Sequence, residues 1–211
     1  MKKKSTREEA LDLALSSAQQ QLREMDPTGV AERSGAQWHA TEGRGYFEVP
    51  FLNRRYRIEL PTAEVRDEAG GEPPLVKRVL ILHYLIQAQG TALARRWVDF
   101  RSLPGGVVYY PVFRGRVISR LVRMFGQRPQ ELISAAAPLG GRAIEMADVA
   151  VEIPAFPRVP VVLALWEASE EFGPEGTVMY DDALPAYLET EDAIIVCEEI
   201  FGALKNYVKG V

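Results

Sequence analysis

The sequence predicts an α+β fold, a mixed or antiparallel sheet with helices packed on it and helices at both ends of the chain. Apolar residues alternate at period two around 47–60 and 149–153. They recur at helical spacing around 11–22, 75–89 and 117–125. Strands and helices follow one another without regular βαβ alternation, which argues against a parallel sheet. The 211 residues, 47% apolar and 26% charged, are ordinary for a globular chain. A helix with its connector is expected over residues 1–45, and a single domain over 46–211.

The elements follow from local chemistry. Thr6 with Glu9 reads as a capping box for a helix over residues 6–24, whose inner stripe includes Leu11, Leu15, Ala18 and Leu22. Asp26-Pro-Thr-Gly29 stops it. Phe47, Val49 and Phe51, then Tyr56, Ile58 and Leu60, alternate on either side of Asn53-Arg54 and predict a hairpin. Residues 61–74, rich in Pro and Gly, read as an exposed loop. Leu75 to Gln89 is apolar almost all round, as a core helix is, and Gly90 ends it.

Trp97 to Phe100 and Val107 to Tyr110 read as short strands flanking Leu103-Pro-Gly-Gly106. The helix predicted near Val112 to Phe125 turns Val117, Leu121, Val122 and Phe125 inward and Arg116, Arg120 and Arg123 outward. A short helix follows Arg128-Pro129 and finishes before Gly140-Gly141. Val149, Val151 and Ile153 alternate, and a proline-rich connector leads to Val161 through Trp166, an unbroken apolar run expected to be a central strand. Thr177 to Tyr180 is a further strand, and Thr190 caps a last helix from Glu191 to about Val208.

Composition narrows the setting. One cysteine, Cys197, forms no intramolecular disulfide and completes no cysteine-based metal site, which fits a reducing cytoplasm. The opening Met-Lys-Lys-Lys is followed by Arg7, Glu8, Glu9 and Asp12, which interrupt the apolar stretch a signal peptide requires. The apolar runs are too short or too charged for a membrane span of ~20 residues. Phosphate-loop, dinucleotide-binding, hydrolase-elbow and zinc-protease signatures are absent.

Charge is uneven. Residues 1–130 carry 21 Lys or Arg against 14 Asp or Glu, whereas residues 131–211 carry 4 against 15. Nine carboxylates fall within residues 167–192. Of these, Glu170, Glu171, Asp181 and Asp182 are expected at ends of neighbouring strands, where they could gather around Mg²⁺ or Ca²⁺ and support a divalent-metal-dependent enzyme. Pairing with the chain's own arginines is the simpler account.

Other residues carry weaker chemical signals. His83, in the apolar helix, has the chemistry of a tetrapyrrole axial ligand, although a core histidine held by one hydrogen bond explains it as well. His39, three residues before Glu42, supplies too few ligands for a metal. Tyr109-Tyr-Pro-Val-Phe-Arg-Gly-Arg116 interleaves rings with guanidinium groups as single-strand nucleic-acid binders do, but the acidic chain lacks a wider basic footprint, so no nucleic-acid partner is expected. The expected ligand-binding cleft combines Tyr109, Tyr110, Arg114 and Arg116 with Trp166, Glu170 and Glu171.

From about Tyr46 to Val208 the chain resembles a family of uncharacterised proteins, a domain of unknown function found mainly in anaerobic bacteria and archaea. The resemblance rests on Leu80-Ile-Leu-His-Tyr-Leu85, Phe100 with Leu103-Pro-Gly-Gly106, Tyr109-Tyr-Pro-Val-Phe-Arg114, Phe125-Gly126 and Leu139-Gly-Gly141. It continues through Phe156-Pro-Arg-Val-Pro160, Leu165-Trp-Glu167, Glu170-Glu-Phe172, Tyr187-Leu188 and Glu191-Asp192. Some relatives carry an added iron-sulfur domain of corrinoid-protein type. The resemblance therefore implies a ligand-binding or accessory role in anaerobic, corrinoid or one-carbon metabolism, with a small-molecule ligand or an iron-sulfur or corrinoid protein as partner. This chain lacks the cysteines for its own cluster, and Ala168-Ser169 stands where the family carries Gly-Asp.

Overall fold

A computed structural model describes residues 5–41 and 44–208. The fold is α+β, with two antiparallel sheets, and the chain divides into two compact units. The first contains the chain up to Thr91 together with Ala186–Leu188, and the second contains Ala92–Pro185 and the chain from Glu189 onward. The division expected at residue 45 falls instead inside an antiparallel strand pair, where Ala40 faces Gly45.

In the first unit, α1 (Thr6–Glu24) and α2 (Pro27–Ser34) precede β1 (Gln37–Thr41), β2 (Arg44–Phe51), β3 (Arg54–Leu60) and β4 (Glu64–Arg66). A core helix, α3 (Leu75–Gln87), follows. The capping box lies one residue earlier than expected: Glu8 N–H donates to Ser5 Oγ at 3.3 Å and Ser5 N–H to Glu8 Oε2 at 2.8 Å. Ser-Thr-Arg-Glu-Glu offers the same spacing in two registers, and the structure takes the first. Asp26 both follows α1 and caps α2, with Pro27 at the first helical position and Gly35 left-handed at the end.

The four strands pair in the order β1-β2-β3-β4. Leu52 and Asn53 both take positive φ in the β2–β3 turn, as the tight hairpin requires. Phe47, Val49, Phe51, Tyr56, Ile58 and Val65 are buried on one face. Residues 61–74, expected as loop throughout, contribute the edge strand β4.

In the second unit, β5 (Trp97–Asp99) leads through a short 3₁₀ turn to α4 (Gly106–Phe113), a π-helical turn (Arg114–Ile118) and α5 (Ser119–Phe125). Next come α6 (Glu131–Ala136), β6 (Arg142–Ala143), β7 (Val149–Phe156), β8 (Val159–Trp166), β9 (Glu175–Asp181) and α7 (Thr190–Leu204). Val107 to Tyr110 form helix rather than the expected strand, so Leu103-Pro-Gly-Gly106 is a helix entry and not a hairpin turn. Gly106 is required there, because a Cβ would overlap the Phe100 carbonyl oxygen. Thr190 does not cap α7. Its hydroxyl donates to the Pro104 carbonyl at 2.7 Å, and Glu189 occupies the cap position.

The sheet order β5-β9-β8-β7-β6 makes β8 central, as its unbroken apolar run predicts. Register places Ile153, Val161 and Tyr180 on one face with Val151, Leu163 and Val178. That face receives α4, α5 and α7: Phe113 lies 6.5 Å from the Tyr180 ring, and the Tyr180 hydroxyl contacts the Ala193 carbonyl and Cys197 Sγ. The opposite face carries Ala150, Val162 and Ala164 under Trp97, Ile144, Met146, Ala147 and Met179.

Candidate functional site

The surface that departs most from an ordinary exterior is α4. Its sequence, Gly-Val-Val-Tyr-Tyr-Pro-Val-Phe, buries only Gly106 and Phe113. Val107 is 69% exposed, Val108 78%, Val112 47% and Tyr109 39%. Exposed apolar side chains scattered singly are normal, but four on two helical turns form a contiguous patch of the kind that marks interaction sites.

The inner side explains why this stretch is helical despite its β-branched composition. Phe113 stacks on Phe100 with centroids 4.0 Å apart and planes within 5°, and both rings meet Tyr180 at 6.5 Å. Burying Phe113 in that cluster contributes roughly 3–5 kcal/mol by the usual cost of Phe→Ala in a core, which outweighs strand propensities spanning ~1 kcal/mol. Pro111 withholds the N–H that would otherwise bond the Val107 carbonyl. Beyond it the helix widens into the π turn, where Ser119 N–H and Oγ both donate to the Arg114 carbonyl.

Polar groups border the patch unequally. Tyr109 donates its hydroxyl to Glu191, whose carboxylate raises the phenol's pKa. Tyr110 lies half-buried under the Arg101 guanidinium, 4.8 Å from its ring centroid. Arg116 is held by Glu198 through two bonds, Nε to Oε1 at 2.8 Å and Nη2 to Oε2 at 2.7 Å. Arg120 lies over the Phe201 ring at 5.4 Å. Arg114 is exposed and makes no ion pair among the described residues.

The other expected site residues lie elsewhere in the same unit. Trp166, 40% exposed, ends β8, and Glu170 and Glu171 sit on the exposed turn before β9. The helix running from α4 to α5 lies along β9: Phe113 meets Tyr180, whereas a Cβ on Gly126 would stand 2.9 Å from Pro174 Cγ. Tyr180 and Pro174 are at opposite ends of β9, about 20 Å apart at strand rise. The Tyr109–Arg116 segment and the Trp166–Phe172 turn therefore do not border one recess.

The four carboxylates expected to gather do not. Glu170 and Glu171 precede β9, while Asp181 ends it and Asp182 follows. Asp181 is buried and accepts backbone N–H bonds from Ala94 and Arg95, each at 2.8 Å, and from Ala183 at 3.0 Å. Asp182 pairs with Arg96. Among the described residues no three His, Cys, Asp or Glu side chains come together as a metal would need.

His83 lies on α3 in the first unit, half-buried between Leu82 and Tyr84. His39 stacks on Tyr46 across β1 and β2 at 4.6 Å, and its expected companion Glu42 falls outside the described residues. No helix among the described residues is long and apolar enough to cross a membrane. Sequence reasoning named Tyr109, Tyr110, Arg114 and Arg116 but missed Val107, Val108 and Val112. Pro104-Gly-Gly106, a helix-entry pattern, was the signal that could have found them.

The family described as Domain of unknown function (DUF3786) matches residues 26–203, and the chain belongs to that family. Neither a curated protein nor a solved structure matches it.

Proposed function

We propose that this DUF3786 protein is a non-catalytic accessory protein that docks a partner through the outer face of α4. The observation that carries the reading is the exposure of Val107, Val108, Tyr109 and Val112 on one helix whose inner face is anchored by Phe113. An apolar patch bordered by an arginine that makes no ion pair among the described residues suits a partner that brings both apolar and acidic groups. The resemblance set out above supports anaerobic, corrinoid or one-carbon metabolism as the setting, with a cofactor-bearing protein as partner.

The test is anaerobic purification from the native host of tagged wild type and tagged Val108→Asp, followed by mass spectrometry of everything retained. A component retained by wild type and lost from the variant supports the reading. Identical sets from the two proteins would overturn it.

A further inference from the structure

We infer that the outer face of α4 receives the Trp166–Phe172 turn of a second copy of this chain, so that copies associate head to tail. The inference rests on the reading of α4 as a binding surface and names one occupant for it. Phe172 is 68% exposed and Trp166 40%, with Glu167, Glu170 and Glu171 exposed among them. None of these three carboxylates makes an ion pair among the described residues.

The turn is preformed. Ser169 N–H donates to the Phe172 carbonyl at 2.9 Å, and Phe172 N–H donates back to Ser169 Oγ at 3.1 Å. These reciprocal bonds leave the Phe172 ring standing out beside two carboxylates, so little ordering entropy remains to be lost on docking. Its chemistry complements α4 in both respects. An aromatic ring meets the Val107, Val108 and Val112 side chains, and the carboxylates meet Arg114, the cation bordering that face that makes no ion pair among the described residues. Arg116 contributes less, since Glu198 already holds it.

Within one copy the two surfaces cannot meet. The helix from Gly106 to Phe125 runs about 30 Å at 1.5 Å per residue, with Val108 near its start. Pro174, two residues beyond Phe172, packs at the other end against Gly126. Two different patches at opposite ends of one unit give a heterologous contact, which extends into a ring or an open chain instead of closing as a symmetric dimer. The contact is small and belongs to the weak, transient class, forming at concentrations of about 0.1–1 mM.

Sedimentation velocity over that range tests the inference with three samples. Wild type should show a sedimentation coefficient that rises continuously with concentration. Val108→Asp, which spoils the receiving face, and Phe172→Ser, which spoils the inserting turn, should each stay monomeric. Both substitutions lie on exposed positions, and circular dichroism confirms the fold. An equimolar mixture of the two variants should form dimers and nothing larger, because only one intact turn and one intact face remain per pair.

Wild type that stays monomeric, a mixture that stays monomeric, or association unaffected by either substitution would overturn the inference. Any of these results leaves the host partner test standing, because there the occupant comes from outside the chain. Identical host proteins retained by wild type and Val108→Asp, with wild-type self-association intact, would instead overturn the partner reading alone.

Discussion

The Arg116 guanidinium and the Glu198 carboxylate form a two-bond fork between the π turn and the middle of α7, at 2.8 and 2.7 Å. The side chains are 42% and 30% exposed, so solvent screens much of their attraction. Replacing Glu198 by Gln should cost about 0.5–1 kcal/mol, read as a shift in the urea midpoint that shrinks at high salt. Since the fork commits Arg116 to its own chain, Arg116→Ala should weaken self-association less than Arg114→Ala. Sedimentation of the two variants side by side checks this.

Asp181 serves as a structural acceptor. Three backbone N–H groups converge on its carboxylate, two from the segment entering β5 and one just beyond β9. Asp181→Ala strands those donors in a buried site and should cost about 2–4 kcal/mol, whereas Asp181→Asn, which keeps one acceptor oxygen, should cost less. Adding EDTA or Mg²⁺ should leave the wild-type melting temperature unchanged. A stabilising Mg²⁺ shift lost in Asp181→Asn would reassign this carboxylate as a ligand.

Cys197 is buried against the Tyr180 hydroxyl at 3.0 Å. Burial pushes its thiol up from an ordinary 9.0 to about 12, with the Tyr180 hydrogen bond working in the opposite direction. The folded state thus holds the thiol proton more tightly than the unfolded chain does. Its contribution is fully present below pH 9.0 and is lost as pH rises towards 12, by about 1.4 kcal/mol per pH unit at most. Between about pH 8 and about pH 10 the wild-type urea midpoint should fall further than that of Cys197→Ala. A thiol reagent should label native Cys197 only as fast as the fold opens.

Gly202 stands inside α7 with no described residue within 4 Å of where a Cβ would go. Gly202→Ala should therefore stabilise by roughly 0.5–1 kcal/mol through helix propensity and a less entropic unfolded chain. Thermal denaturation checks the sign, and a destabilised variant would contradict the open space at this position.

Residues whose local and tertiary preferences agree were legible in the sequence. The alternating Phe47–Leu60 stretch, the mostly apolar α3 and the central run of β8 each announce their burial, whereas the hairpin turn lies at Leu52-Asn53, one residue before the expected Asn53-Arg54. α4 was hidden because its β-branched and aromatic residues favour strand, and because its apolar side chains point outward, so no inward stripe reveals the helical period. Only Phe113, reaching the Phe100–Tyr180 cluster across distant sequence, fixes it as helix. The carboxylates misled for a related reason. Placing them at ends of neighbouring strands suggested a cluster, but one strand, β9, separates the two pairs and carries Asp181 and Asp182 away from Glu170 and Glu171.

The most direct test of α4 as the face that receives the Trp166–Phe172 turn of a second copy is methyl NMR of the protein labelled at valine and recorded from dilute to concentrated solution. The account predicts shift changes concentrated at Val107, Val108 and Val112, abolished by Phe172→Ser. Spectra that do not change with concentration, or changes centred on valines remote from α4, would contradict it.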